Sequence, residues 1–181
     1  MPILVTGSEG NIGRRLMAAF PGAVGLDIRP GADIAADLAT LDYSRADIRG
    51  ALAAAEAVVH LATSADPEAP EGVHWQAVVN TARLIAACAQ ADVPRIVLAS
   101  SAWAEPQDGR PRNAYGGSKA VIEGLAAMYG SAPGRDGVAL RVGWVPRRVD
   151  EVAAAPDWLR ASYWDDTRLI AAFREALGLS S

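Results

Sequence analysis

Tyr115 and Lys119 stand four residues apart in the stretch Asn113-Ala-Tyr-Gly-Gly-Ser-Lys119, and Lys119 is the only lysine in 181 residues. Every other member of the seventeen Lys and Arg residues is arginine. A compact ammonium on a flexible stem does not exchange with a planar guanidinium in a tight site, so the lone lysine marks a task arginine performs badly. On a helix, positions i and i+4 share a face, which brings the ammonium near the phenol. A phenol with a pKa near ~10 is a poor acid or base at neutral pH, but a nearby positive charge favours phenolate. Tyr115 can then exchange a proton with a carbonyl or alcohol oxygen. Taken alone, the spacing also fits an amphipathic helix start with a half-buried tyrosine and a solvated lysine.

Three further groups could share that chemistry. Gly7-Ser-Glu-Gly10-Asn-Ile-Gly13 follows a short apolar run at Ile3 to Thr6 and leads into a helical pattern from Arg14 to Phe20. A glycine turn between strand and helix lets backbone N–H groups approach a pyrophosphate, and the helix N-terminus favours its charge. Asp27 ends the next strand pattern about twenty residues later, where a carboxylate accepts ribose hydroxyls and repels a 2′-phosphate. Arg29 beside it is a group that accommodates such a phosphate, so NADP stays open behind NAD. Ser100 and Ser101 close the run Arg95 to Ser101, either as crevice-facing hydroxyls or as turn caps. His60, inside Ala57 to Thr63, reads as a satisfied strand residue, and Cys88 as a small buried hydrophobe.

The elements that must position these groups alternate. Strands are expected at residues 3–6, 23–28, 34–38, 57–63, 95–101 and 138–145. Helices are expected at 14–20, 44–55 with Ser44 as N-cap, 73–91, 115–129 and 165–177. Loops fall at 64–72 and 102–112, with an Ala/Pro spacer after Val149. Near-continuous apolar strands separated by crossover helices specify a parallel sheet covered on both faces. The fold class expected is α/β, a Rossmann-type doubly wound sheet, in one domain over 1–181 with 147–181 as an abbreviated extension on the substrate side.

Composition narrows the partners. At 51% hydrophobic and 21% charged the chain is an ordinary soluble globular sequence. A net charge of −4 disfavours nucleic acid and anionic membranes. One cysteine excludes an intrachain disulfide and supplies no metal cluster. No basic leader and no run of about 18 apolar residues is present, so a cytoplasmic protein is expected.

In order along the chain stand LVTGSEGNIG, Asp27, Asp37-Leu38, VVHLA, LASS, YGGSK and LRVGWVP. Together they resemble the extended short-chain dehydrogenase/reductase superfamily, the NAD-dependent epimerase/dehydratase group, and within it most nearly the uronate dehydrogenases. The resemblance implies that Gly7, Gly10 and Gly13 contact the pyrophosphate of NAD, Asp27 the adenosine ribose, and Asp37 with Leu38 the adenine. It implies that Ala62 lies along the cofactor beyond the fourth strand, and it adds Asn11, Ile12, Ile28 and Leu61 to the cofactor-binding positions. By the same resemblance Ser101 positions a substrate oxygen and Tyr115 is the general acid/base, while Lys119 holds the nicotinamide ribose and lowers the phenol pKa. The activity implied is NAD(H)-dependent interconversion of a secondary alcohol and a ketone on a sugar or other small metabolite. Two other readings stay open, a sugar-nucleotide epimerase or dehydratase and a non-catalytic dinucleotide sensor or partner-binding module. A homodimer through the helices after the fourth and fifth strands is also implied.

Two departures stand out. Ala77 occupies the place where the family carries an Asn, and Asn80-Thr81 replaces its Gly-Thr pair. The family also continues well past the sixth strand, whereas about thirty-five residues follow Pro146 here. The substrate pocket is therefore expected to be abbreviated, open or completed by another subunit. Trp103, Trp144, Trp158, Tyr163 and Trp164 are candidates for its walls, with Trp158 and Trp164 alternatively pinning the last helix. Arg147 and Arg148 read as a solvated pair, or as binders of an anionic substrate.

Overall fold

In the computed structural model, which describes residues 1–106 and 113–179, the apolar runs form one six-stranded parallel sheet. Its strands are β1 (Ile3–Thr6), β2 (Val24–Asp27), β3 (Ile34–Ala35), β4 (Ala57–His60), β5 (Arg95–Ser100) and β6 (Asp136–Arg141). Their order across the sheet is β3-β2-β1-β4-β5-β6. The helices are α1 (Asn11–Ala19), α2 (Ala46–Ala54), α3 (Glu71–Gln90), α4 (Ala114–Gly130), α5 (Asp150–Ala154), α6 (Asp157–Arg160) and α7 (Asp166–Ala176).

Side-chain alternation along the central strands divides the core in two. Leu4, Val58, Ile96 and Leu98 face one side, where they meet Ile48 and Leu52 of α2, Leu84 and Ile85 of α3, and Ile122 and Ala126 of α4. Ile3, Val5, Val59 and Val97 face the other, against Leu16 of α1 and Leu169 and Phe173 of α7. This is the doubly wound α/β architecture expected from the sequence. The order reverses between β1 and β4, so the crevice beyond their carboxyl ends is where such sheets receive ligands.

Several boundaries differ from expectation for local reasons. β3 pairs only through Ile34 and Ala35, because Asp37 turns the chain by accepting the Ala39 N–H at 2.9 Å. Ser44 does not cap α2; its N–H donates to Asp42 at 2.8 Å, and Arg45 takes the cap position. β6 stops at Arg141, and Trp144 pairs instead with the segment before α7, its N–H donating to Ser162 O at 2.7 Å. Part of the expected spacer folds as α5 and α6. In the expected loop at 102–112, residues Ala102–Ala104 form a 3-10 turn, and residues 107–112 lie outside those described.

Candidate active site

The glycine turn occupies the carboxyl end of β1. Gly7 has φ +76°, a left-handed value that favours glycine, and a Cβ there would fall 2.8 Å from Ala62 N. A Cβ on Gly13 would fall 2.1 Å from Gly7 O, so α1 can pack this closely on the turn only without a side chain. Gly10 is the N-cap of α1 and supplies no side-chain cap, and the first turn carries no acidic residue. The opening N–H groups of α1 therefore form a positive helix end without a side-chain cap, whereas Asn113 caps α4 and Asp165 caps α7. Asn11 and Ile12 begin that helix. The Asn11 amide donates to Val145 O at 2.7 Å and ties α1 to the chain leaving β6, while Ile12 packs into the α1/α7 core. Leu61 joins the same core, and the Leu61-Ala62 backbone abuts Gly7.

Asp27 ends β2 beside the turn, buried, and its two carboxylate oxygens accept the N–H groups of Glu9 and Arg29, each at 2.9 Å. Arg29 reaches back to Glu9 O at 2.8 Å, and Arg14 pairs with the Glu9 carboxylate at 3.2 Å. A cleft of about 730 Å³ runs along this side of α1 and is lined by Glu9, Asn11, Arg14, Arg29 and Arg147 among others. Ile28 is exposed at the strand end. Asp37 and Leu38 follow β3 on the same rim, with the Leu38 side chain buried against α2 and α3.

The second half of the site forms where β4, β5 and α4 converge. Tyr115 and Lys119 are both buried on α4. The Lys119 ammonium donates to Thr63 Oγ1 at 2.8 Å and lies 3.5 Å from Ala99 O, with the Tyr115 ring centre 5.3 Å away. Burial lowers its pKa to about 8. Burial also pushes the Tyr115 phenol up, and a hydrogen bond from Ser101 acts in the opposite direction. The hydroxyl that acts on the phenol is that of Ser101, and the Lys119 ammonium is directed toward Thr63 and Ala99. Strand alternation separates the serine pair. Ser100 Oγ donates to Glu123 at 2.6 Å, whereas Ser101 faces Tyr115 and accepts the Trp103 N–H at 3.3 Å.

His60 is fully buried between Thr6 Oγ1, 2.6 Å from Nδ1, and Thr81 Oγ1, 2.9 Å from Nε2. Because Thr81 donates to Ala77 O at 2.8 Å, it accepts from Nε2–H, and Thr6 donates to Nδ1. The imidazole is a neutral tie between β1, β4 and α3, with its pKa lowered to about 3 by burial and by the Lys119 charge. The Ala77 position thereby contributes a backbone carbonyl to this network in place of a side chain.

Two residues at the site were not legible from sequence. Thr63 holds the ammonium from a loop 56 positions away. His74 of α3 packs edge-on against the Tyr115 ring at 5.7 Å, 2% exposed, with Nε2 buried and without a hydrogen-bond partner among the described residues. Its placement on the inner face of α3 was the only sequence signal. Of the candidate wall residues, Trp103 packs edge-on against Tyr115 at 6.2 Å, while Trp144 packs on Tyr163 and Trp164 on Arg168 near α7. Trp158 is exposed. Arg148 pairs with Asp150 in solvent, and the Arg147 N–H donates to Glu151. Among the described residues no group of three His, Cys, Asp or Glu side chains could hold a metal ion, and no helix is long and apolar enough to cross a membrane.

Solved structures share this fold. A short-chain dehydrogenase/reductase superfamily protein from Agrobacterium tumefaciens, solved with bound NAD, superposes with a TM-score of 0.68 over 98% of this chain and 59% of its own, at 24% identity, a likeness of fold. MoeE5 in complex with UDP-glucose and NAD gives 0.67 at 28% identity, covering 85% of this chain and 59% of the other. The UDP-glucose 4-epimerase of Thermus thermophilus in complex with NAD gives 0.57 at 25% identity, with coverages of 81% and 56%. The chain thus spans less than two thirds of the length of these proteins. No curated protein matches it. Residues 3–145, which hold the glycine turn, Asp27, Ser101, Tyr115 and Lys119, match the model of the NAD dependent epimerase/dehydratase family, and the protein belongs to that family.

Proposed function

We propose that the chain binds NAD(H) along the β1/β4 crevice and uses Ser101, Tyr115 and Lys119 to interconvert a secondary alcohol and a ketone on a sugar or similar small metabolite. The observation that carries this reading is the convergence of the Ser101 hydroxyl on the Tyr115 phenol, with the buried Lys119 ammonium against the same ring. The residues present fit a dinucleotide. Gly7 and Gly13 leave a cradle that a Cβ would fill, the uncapped start of α1 suits a pyrophosphate, and Asp27 suits a ribose without a 2′-phosphate. When bound, the cofactor supplies hydride exchange at nicotinamide C4. Ser101 orients the substrate oxygen, and Tyr115 gives or takes the proton at that oxygen. Lys119, held at Thr63, would supply a donor to a ribose hydroxyl and a positive charge that favours phenolate.

A cofactor-linked absorbance change across a panel of sugar alcohols, uronic acids and ketones tests this. Tyr115→Phe should bind NADH as the wild type does and lose turnover by roughly 10²- to 10⁴-fold. Full activity in that variant would refute the assignment.

A second reading is supported by the 28% and 25% identical structures with NAD, one holding UDP-glucose and one a UDP-glucose 4-epimerase. In a sugar-nucleotide epimerase or dehydratase the same three residues act through a redox cycle that returns the cofactor to its starting state. Co-purified NAD that stays bound, with conversion of UDP-glucose and no net absorbance change, would select it.

The proposal includes a homodimer. Val73, Trp75 and Val79 of α3 and Val121 and Met128 of α4 are exposed large apolar residues on two helices that pack together. Light scattering that shows only monomer would remove this part.

A further inference from the structure

Residues 37–43 leave β3 for α2 with no regular structure of their own, and one side chain from elsewhere gathers them. Arg83, in the middle of α3, donates Nη1 to Leu38 O and Ala39 O, both at 2.9 Å, and Nη2 to Leu41 O at 2.6 Å. Its guanidinium carbon lies 5.6 Å from the centre of the Tyr43 ring. Leu38 and Leu41 are buried beneath it, and Asp37 closes the turn by accepting the Ala39 N–H while its carbonyl accepts the Thr40 N–H at 3.1 Å. A guanidinium presents several donors in one fixed plane, so it can satisfy three carbonyls of neighbouring residues at once; an ammonium, a single point on a flexible stem, holds no such array. Each carbonyl would otherwise need another partner.

The strap sits where the dinucleotide reading needs rigidity. Ala36 N donates to Asp27 O at 2.9 Å, so the segment that Arg83 holds continues directly from the strand pair carrying Asp27. Asp37 and Leu38 are therefore fixed from two directions, by β2 on one side and by α3 on the other.

We propose that Arg83 is a positioning residue for the adenine end of the cofactor site, holding the Asp37-Leu38 backbone in the shape that receives the base. The inference rests on the dinucleotide reading above. Arg83 acts through the three carbonyls it holds.

The test is titration of NADH and of deamino-NADH, which differs only at the base, into wild type, Arg83→Lys and Arg83→Met, with circular dichroism as the check on folding. Arg83→Met should weaken NADH at least tenfold and bring the ratio of the two dissociation constants close to one, with Arg83→Lys between it and the wild type. If Arg83→Met does not fold, the Lys variant carries the test, and hydrogen exchange of the amides at 39–43 should be faster in it than in wild type. NADH affinity within twofold of wild type would overturn the proposal. So would equal weakening of both nucleotides at an unchanged ratio, which is the signature of a merely structural residue. If wild type binds no NADH, the dinucleotide reading falls first and takes this inference with it.

Discussion

The Lys119 ammonium lies 5.3 Å from the centre of the Tyr115 ring and donates a 2.8 Å hydrogen bond to Thr63, so it is held against the ring by a neutral hydroxyl from another loop. A buried ammonium with only neutral partners is a stored cost. Burial brings its folded pKa to about 8 from 10.5, so between these values the unfolded chain still holds a proton that the folded chain has released. The penalty is fully present below pH 8 and is relieved as the pH rises toward 10.5. Lys119→Met removes it. In urea unfolding without cofactor, wild type should gain about 2 kcal/mol relative to this variant between pH 7 and 9.5. Parallel pH dependences would show that the ammonium is better solvated than its burial implies.

The serine pair should separate cleanly under mutation. Ser100 is bound to Glu123, which also receives the Arg141 guanidinium at 2.7 and 2.8 Å, so Ser100→Ala should cost about 1 kcal/mol of stability and leave turnover near wild type. Ser101→Ala should do the reverse, lowering kcat by roughly 10²-fold with little change in melting temperature. Swapped phenotypes would place the reacting oxygen at the wrong serine.

Gly13→Ala introduces a methyl 2.1 Å from a backbone carbonyl, with no flexible side chain to move aside. The expected loss is more than ~2 kcal/mol, together with loss of NADH binding, read by thermal unfolding and by fluorescence titration. Gly50→Ala is the control, since a Cβ at Gly50 meets nothing within 4 Å, and helix propensity predicts a gain of several tenths of a kcal/mol.

His74 should behave unlike an ordinary buried polar residue. Leaving a buried nitrogen without a partner costs about 1–3 kcal/mol, and Nε2 has none among the described residues, so His74→Leu should remove a penalty along with a ring contact. Thermal unfolding should show stability unchanged or raised by up to about 1 kcal/mol. A loss above ~2 kcal/mol would mean that Nε2 is hydrogen-bonded in solution.

Much of this was legible along the chain because the relevant physics is local. β1, β4 and β5 read as strands since a parallel strand covered on both faces needs nearly every residue apolar, and Ile3–Thr6, Ala57–His60 and Arg95–Ser100 satisfy that. The glycine turn read as a turn because Gly7 requires a left-handed φ, and Tyr115 shared a helix face with Lys119 because 3.6 residues make a turn. The shorter β3 and β6 and the uncapped Ser44 were not legible, since pairing partners and side-chain acceptors override propensity at element ends.

By itself, then, the sequence determined the α/β alternation, the carboxyl-end placement of the glycine turn, Asp27 and Ser101, and the pairing of a phenol with the one lysine. Tertiary structure alone decided what each group touches: Thr63 rather than the phenol oxygen for Lys119, Glu123 for Ser100, the Tyr115 ring for His74, and three carbonyls for Arg83. The division has a physical cause. Period and propensity act over one or two turns of chain, whereas burial, the pKa values it shifts and the partners it enforces join residues more than twenty positions apart, and they exist only once β4, β5, α3 and α4 are packed together.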